Sequence, residues 1–228
     1  MKRWLIVGLG AIFLTAMLAQ ATELGKTLVP LDVSKVTVEE TAFGNFVADA
    51  VRNASSADIA MLDSMAFRAN ARIPVGVVDE GMIRGSLALP ASNITILKLT
   101  PAQLRSCLER SLSRYPDFNK AFLQFSGMQV TFDGARPEQN RVVSVTVGEK
   151  KLDLADNKTQ FKVAMPRQLA EGGNGYILVL PKEVIDARQV TETTLLDAIT
   201  KEFADSKNNE INPKVEERLK NINPPKKN

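Results

Sequence analysis

Three segments of the chain repeat apolar residues at the spacing of an amphipathic helix, with short strand patterns between them. The first helix pattern begins in Val38–Val51, the second follows Thr100, and the third covers Thr193–Ala204. Thr100 as N-cap and Gln103 three residues later form a capping-box pattern, so the second helix is predicted to start there and run to about Arg114. The positions predicted to face the core are Phe43, Phe46, Val47, Ala50 and Val51 in the first helix and Leu195, Leu196, Ile199 and Phe203 in the last.

The strand patterns are short apolar runs, several of them rich in β-branched residues. The predicted strands are Ala57–Asp63, Asn93–Leu99, two pieces of Phe122–Phe132 around a glycine, Arg141–Val147, Phe161–Met165 and Ile177–Leu180. A hairpin through Asp133 and Gly134 to Asn140 is the economical connection between the third and fourth of these regions. The run Val77–Ile83 fits either a strand or a helix.

The N-terminus has the order of a secretory signal peptide. Lys2 and Arg3 precede the apolar run Trp4–Ala19, and Ala19-Gln20-Ala21 offers a small-x-small cleavage site. We therefore predict a signal peptide at residues 1–21 and a periplasmic or secreted protein. An uncleaved anchor is the alternative, but the run is shorter than the ~20 apolar residues of a spanning helix. No stable membrane insertion is expected after cleavage.

Composition excludes several classes of site and partner. Without residues 1–21 the chain carries 27 basic and 26 acidic residues, so its charge does not favour nucleic acid as a partner. Cys107 is the single cysteine, which rules out an internal disulfide, and its helical spacing predicts a buried, inert thiol. The sequence contains no histidine, which excludes Ser-His-Asp or Cys-His catalysis and metal sites built on imidazole.

A glycine-rich loop follows the predicted strand Phe161–Met165. The segment Gln168–Tyr176 contains Gly172, Gly173 and Gly175, which can adopt positive φ and let a ligand approach the backbone N–H groups. Such a loop either binds a ligand or is only a tight turn, and the residues alone leave both interpretations open.

Several segments together resemble the C-terminal domain of the 5′-nucleotidase family. The resemblance runs from about Val38 to Leu219. It includes Glu40–Ala50, Ala57–Ser64 with Arg68, Leu89-Pro90 before Ile94–Leu99, Thr100–Leu108, Phe122–Gly127, Arg141–Val147, the glycine loop to Tyr176, and Ile211–Leu219. It implies an α+β domain with a mixed β-sheet and packed helices at 37–220. Weak periodicity in Thr22–Ser34 predicts a linker or peripheral strand at 22–36, and the polar, proline-bearing C-terminus predicts a disordered tail at 221–228.

The resemblance also implies that substrate recognition and hydrolysis belong to two separate domains. In complete family members this domain recognises the nucleoside part of a nucleotide, while a separate N-terminal metallophosphoesterase domain with histidine ligands performs hydrolysis. The present chain has no histidine for such a centre, so we expect no catalytic residues, no metal and no cofactor. The expected partners are a nucleotide or other phosphate ester and a separate metallophosphoesterase. The candidate ligand-binding residues are Asp63, Arg68, Gly172, Gly173 and Asn174.

The family's recognition residues are only partly kept. Arg68 matches an arginine that contacts phosphate or ribose in the family. The other matched positions have changed: Thr37 stands for an arginine, Asp63 for an asparagine, Met65 and Ala66 for glycines, Ala91 and Gln168 for the two base-stacking phenylalanines, and Asn174 for an aspartate. Phe67 and Tyr176 either supply a new stacking surface or belong to the core.

Three functional hypotheses follow. The first is a non-catalytic binding or accessory domain with a degenerate nucleotide site. The second is the substrate-recognition subunit of a split nucleotide or phosphoester hydrolase. The third is a structural or interaction protein of the cell envelope. An independent histidine-free hydrolase is the least favoured.

Overall fold

A computed structural model describes residues 22–224. The predicted signal peptide and residues 225–228 of the predicted tail lie outside this range. The strands are β1 Glu23–Thr27, β2 Leu31–Asp32, β3 Ile59–Asp63, β4 Arg72–Ile73, β5 Gly76–Asp79, β6 Asn93–Leu99, β7 Leu123–Ser126, β8 Met128–Phe132, β9 Val142–Val147, β10 Lys150–Lys151, β11 Phe161–Pro166, β12 Gln189–Thr194, β13 Glu210–Ile211 and β14 Leu219–Asn221. The α-helices are α1 Ala42–Ser55, α2 Glu80–Ser86, α3 Pro101–Leu112, α4 Arg167–Ala170, α5 Lys182–Asp186 and α6 Leu195–Asp205.

A five-stranded mixed sheet in the order β12-β6-β11-β3-β7 forms the centre of the domain. Strands β11 and β3 are parallel, and the other neighbours in this sheet are antiparallel. A four-stranded sheet, β10-β9-β8-β14, contains the predicted hairpin between β8 and β9. Smaller sheets join β13-β1-β5 and β2-β4. The fold is α+β with mixed sheets, as the sequence predicts.

The central sheet separates two apolar clusters. On β3, Ala60 and Leu62 belong to one cluster, whereas Ile59 and Met61 belong to the other. This alternation follows from the period of two along a strand, and all five residues of β3 are buried because both sheet faces are covered. β3 is therefore a continuous apolar run that ends in Asp63.

Helices α1 and α6 cover the first face. Every apolar position predicted to face the core on these two helices is buried. Phe46 of α1 meets Phe203 of α6 edge to face, with ring centroids 5.4 Å apart. Thr41 caps α1 by accepting a hydrogen bond from Gly44 N, so the helix starts later than the predicted Val38.

Helix α3 covers the second face. Its capping box forms as predicted: Gln103 N donates to Thr100 Oγ1, and Thr100 N donates to Gln103 Oε1. Cys107 is fully buried, and burial raises the pKa of its thiol to about 12. The prediction that Cys107 is buried is confirmed.

Residues 22–36 are part of the folded unit. Strand β1 pairs with β5 and β13, and Leu31, Val33 and Val36 are buried in the first apolar cluster. At the other end, β14 pairs in parallel with β8, and Asn221 lies opposite Phe132. The paired strands thus extend to both sides of the predicted boundaries at 37 and 220. Within residues 22–224, no helix combines the length and apolar character needed to cross a membrane.

The structure decides one open assignment and overturns one local prediction. The ambiguous run Val77–Ile83 is divided between the end of β5 and the start of α2, with Asp79 capping the helix. The prediction of a strand at Ile177–Leu180 is wrong. Gly173–Leu178 forms a 3₁₀ segment, at whose end Val179 N donates to Tyr176 O. Ile177 N also donates back to Gly172 O, which closes the turn.

Candidate functional site

The glycine loop is a compact turn. Short helix α4 follows β11, and Gly172 and Gly175 then adopt φ of 91° and 84°. Gly173 is needed for a different reason, since a Cβ there would lie 2.7 Å from Gln168 O. Asn174 also has a positive φ, 52°, which asparagine tolerates better than most residues. The glycines therefore serve the turn itself.

The turn places Asn174 against the end of β3. Asn174 Nδ2 donates a hydrogen bond to Asp63 Oδ2, joining residues 111 positions apart. Asp63 is only 5% exposed, and this burial raises the pKa of its carboxyl to about 6, while the hydrogen bond from Asn174 opposes the shift. The structure thus brings Asp63 together with the loop that contains the candidate residues Gly172, Gly173 and Asn174.

Arg110 of α3 holds the loop from the other side. Its Nε and Nη2 atoms donate to Asn174 O at 3.2 and 2.8 Å. A Cβ on Gly175 would lie 2.5 Å from Arg110 Nη2, so only glycine leaves room for the guanidinium. Tyr176 Oη donates to Ala121 O at 2.6 Å from within the core. The loop is fixed through both its backbone and its side chains.

Arg68 lies apart from this arrangement. Its side chain is exposed, and Nε donates to Leu87 O at 2.9 Å, while its backbone N–H donates to Ser86 O. In the described part of the chain, no hydrogen bond or ion pair joins Arg68 to Asp63 or to the glycine loop. Of the sequence-predicted site residues, Arg68 is the one whose described hydrogen bonds go to neither Asp63 nor the glycine loop.

The hypothesis that Phe67 and Tyr176 form a new stacking surface is wrong. Both rings are buried. Phe67 packs edge to face against Phe43, with centroids 5.9 Å apart, and so belongs to the first core cluster. Ala91 and Gln168, which the sequence resemblance matches to the two stacking phenylalanines, are exposed and carry no aromatic group.

A cleft of about 240 Å³ opens beside Asn174. It is lined by Arg110, Arg114, Phe118, Asn119, Lys120 and Asn174. Sequence reasoning missed this group, because Arg110 and Arg114 fit the polar side of the helix that the sequence predicts from Thr100 to about Arg114. The exposed Phe118, in a polar segment between α3 and β7, was the available signal.

The described residues contain no cluster of side chains that could bind a metal ion. Among residues 22–224, no three His, Cys, Asp or Glu side chains lie close enough to hold a metal ion. These residues therefore do not fit the two-metal centre that the resemblance assigns to the separate catalytic domain.

Comparison with known proteins gives consistent matches. A family model described as 5′-nucleotidase, C-terminal domain, matches residues 18–180. The trifunctional nucleotide phosphoesterase protein YfkN of Bacillus subtilis is 28% identical over 210 residues, which cover 88% of this chain and 14% of that protein. The human 5′-nucleotidase is 28% identical over 177 residues, covering 69% of this chain and 30% of the relative.

A solved structure shares the fold. The crystal structure of a 5′-nucleotidase precursor from Thermus thermophilus superposes with a TM-score of 0.76 and 22% identity, over 90% of this chain and 40% of that one. The chain thus spans well under half the length of the relatives and the solved structure that it matches.

Proposed function

The chain belongs to the 5′-nucleotidase C-terminal domain family, and we propose that it is an exported binding or accessory domain that does not hydrolyse phosphate esters by itself. The proposal of export rests on the N-terminal order of basic residues, apolar run and Ala19-Gln20-Ala21. The chain matches the part of its relatives that, in complete family members, recognises the substrate.

The lack of histidine supports the proposal that the chain does not hydrolyse phosphate esters by itself. Hydrolysis in complete family members depends on a metallophosphoesterase domain with histidine ligands, and this sequence contains no histidine. Buried Asp63 is the carboxyl group at the candidate site with a raised pKa. Its polar partner is the amide of Asn174 rather than a nucleophile or a metal ligand.

The pairing of Asp63 with Asn174 is the observation that carries the proposal of a degenerate nucleotide site. The resemblance matches Asn174 to an aspartate that contacts the nucleoside and Asp63 to the asparagine that begins another loop, and here the two side chains hydrogen-bond to each other. The two stacking positions hold Ala91 and Gln168. Loss of two stacking walls, each worth ~1–3 kcal/mol, would weaken nucleoside binding by roughly 30-fold to 10⁴-fold.

The second candidate function is that of a substrate-recognition subunit that binds a separate catalytic protein. Two apolar side chains directly after the glycine loop, Ile177 and Leu178, face solvent, and Leu178 is 81% exposed. Exposed apolar residues beside a candidate site are suited to docking another protein. A metallophosphoesterase would then supply the hydrolytic centre that this chain lacks.

The test is an assay of phosphate release by the purified chain. AMP, ADP and simple phosphate esters are incubated with Mg²⁺, Mn²⁺ or Zn²⁺, with Asp63→Asn as the matched variant. We expect no release above the buffer rate from either protein. Metal-dependent release by the wild type that is lost in Asp63→Asn would refute a non-catalytic function.

A further inference from the structure

We propose that the cleft beside Asn174, defined by Arg110, Arg114, Phe118, Asn119, Lys120 and Asn174, binds a small phosphorylated ligand that carries an aromatic ring. This inference rests on the proposed function, since it gives the binding domain a ligand class and a site. It places the ligand next to Asn174, the one cleft residue that the family resemblance assigns, and on five further residues to which that resemblance gives no role.

The charge of the cleft favours an anion. Arg110, Arg114 and Lys120 contribute three cationic side chains. Within residues 22–224, neither Arg114 nor Lys120 takes part in an ion pair or a side-chain hydrogen bond, and both are exposed. Arg110 uses two donors on Asn174 O, which leaves three of its five N–H groups.

Nearby acidic groups do not cancel this charge. Asp63 lies behind Asn174 and is buried, with its carboxylate hydrogen-bonded to the Asn174 amide. Glu109, next to Arg110 on α3, accepts hydrogen bonds from the backbone of Arg141 and Val142. Asp117 is exposed and offsets one of the three positive charges, so the cleft keeps an excess of cations.

Phe118 supplies an aromatic face where the family positions have none. It is 56% exposed and lines the cleft beside the cationic groups. An exposed ring next to guanidinium and ammonium groups suits a planar ligand whose ring stacks while its anionic end meets the cations. Phe118 can therefore stack on a ligand ring, which Ala91 and Gln168 cannot do.

The segment that carries these side chains is anchored. Asn119 is buried, and its Nδ2 donates to Ser111 O at 2.7 Å, while its Oδ1 accepts from Ala121 N. Ser64 Oγ donates to Lys120 O at 2.9 Å. Asn119 N donates to Thr37 O, so the segment reaches the position where the family has an arginine. The cleft is therefore formed before any ligand binds.

The size of the cleft limits what it holds. Its volume of about 240 Å³ lies below the ~300–1,000 Å³ of pockets that enclose a drug-sized ligand. The space suits one phosphate and one ring, with any further part of the ligand in solvent. Phenyl phosphate is accordingly the minimal probe.

The experiment is a calorimetric titration of the full chain, produced with its own N-terminal segment, with phenyl phosphate and separately with inorganic phosphate. Phe118→Ala removes the ring, and the double change Arg114→Gln with Lys120→Gln removes two cations. Leu28→Ala and Lys207→Gln are matched controls, because both side chains are exposed and neither lines the cleft. Thermal unfolding of every variant checks that the fold is kept.

We expect Phe118→Ala to weaken phenyl phosphate binding by about 5-fold to 100-fold and to leave inorganic phosphate binding unchanged. The double variant should weaken both ligands by about tenfold or more, and the controls should bind like the wild type. Equal binding by wild type and cleft variants, or no saturable binding up to ~10 mM, would overturn the inference. Phosphate release by the chain alone would instead refute the proposed function and leave the site intact.

Discussion

Replacing Asp63 with asparagine should stabilise the protein at neutral pH and not at acidic pH. Burial raises the pKa of this carboxyl from an ordinary value of 3.8 to about 6 in the folded state. The folded protein therefore binds more protons than the unfolded chain between about pH 4 and 6. The favourable contribution of protonated Asp63 is present at pH 4 and is lost as the pH rises through the folded pKa.

The magnitude follows from the size of the shift. A rise of about two pKa units corresponds to roughly 3 kcal/mol, at 1.36 kcal/mol per unit. Asparagine cannot ionise, and its side-chain oxygen can still accept the hydrogen bond from Asn174 Nδ2. At pH 8 the variant should exceed the wild type in free energy of unfolding by up to about 3 kcal/mol, or about 6–12 °C in Tm for a chain of this size.

Urea unfolding of both proteins from pH 4 to pH 8 measures this difference directly. The Ser34 backbone hydrogen bond lowers the pKa of Asp32, and the Thr194 hydroxyl lowers the pKa of Asp197; both groups are common to the two proteins, so their titration cancels in the difference. Asp205→Asn, at an exposed ion pair with Lys201, is the matched control and should show little effect. A stability difference for Asp63→Asn that stays constant with pH, or falls as the pH rises, would refute the reasoning.

Three further changes test the packing around the loop and the helices, each by the urea midpoint. Gly175→Ala should destabilise by about 1–3 kcal/mol, because it combines a positive φ with a clash against the Arg110 guanidinium; an unchanged midpoint would contradict the fixed loop. Gln124→Leu should cost about 2–4 kcal/mol, since Thr41 N and two backbone carbonyls lose their buried partner, and a neutral result would exclude that role. Arg218 joins the segment before β14 to the domain, since its Nη2 pairs with Asp49 Oδ2 at 2.7 Å and its Nη1 donates to Phe125 O. Arg218→Met should cost about 2 kcal/mol, less than the ~3–5 of a fully buried ion pair, and should make the C-terminal segment more accessible to proteases; unchanged cleavage would contradict this anchoring.

The periodic elements were predictable because their signals are local. The capping box at Thr100 and Gln103 and the apolar stripes of α1 and α6 need only neighbouring residues, and the structure contains all three. The strand predicted at Ile177–Leu180 failed for the opposite reason. Its apolar side chains suggested burial, but hydrogen bonds back to Gly172 and Tyr176 fold the segment into a turn that exposes Ile177 and Leu178.

The candidate site depended on contacts that no local pattern encodes. Asp63 and Asn174 could be paired from the family resemblance, but the clamp from Arg110 to Asn174 O joins residues 64 positions apart. Arg68 is an arginine as the family resemblance expects, but its Nε donates to the Leu87 carbonyl. Residue identity at a matched position therefore did not determine which groups meet in space.

One calorimetric measurement tests the central claim that this family domain binds without catalysing. AMP is injected into the chain in the presence of Mn²⁺, so that binding and turnover are followed in the same cell. Binding gives discrete heat pulses that return to the baseline, and this is the result we expect. A sustained displacement of the baseline after each injection, removed by chelating the metal, would show turnover and contradict the account.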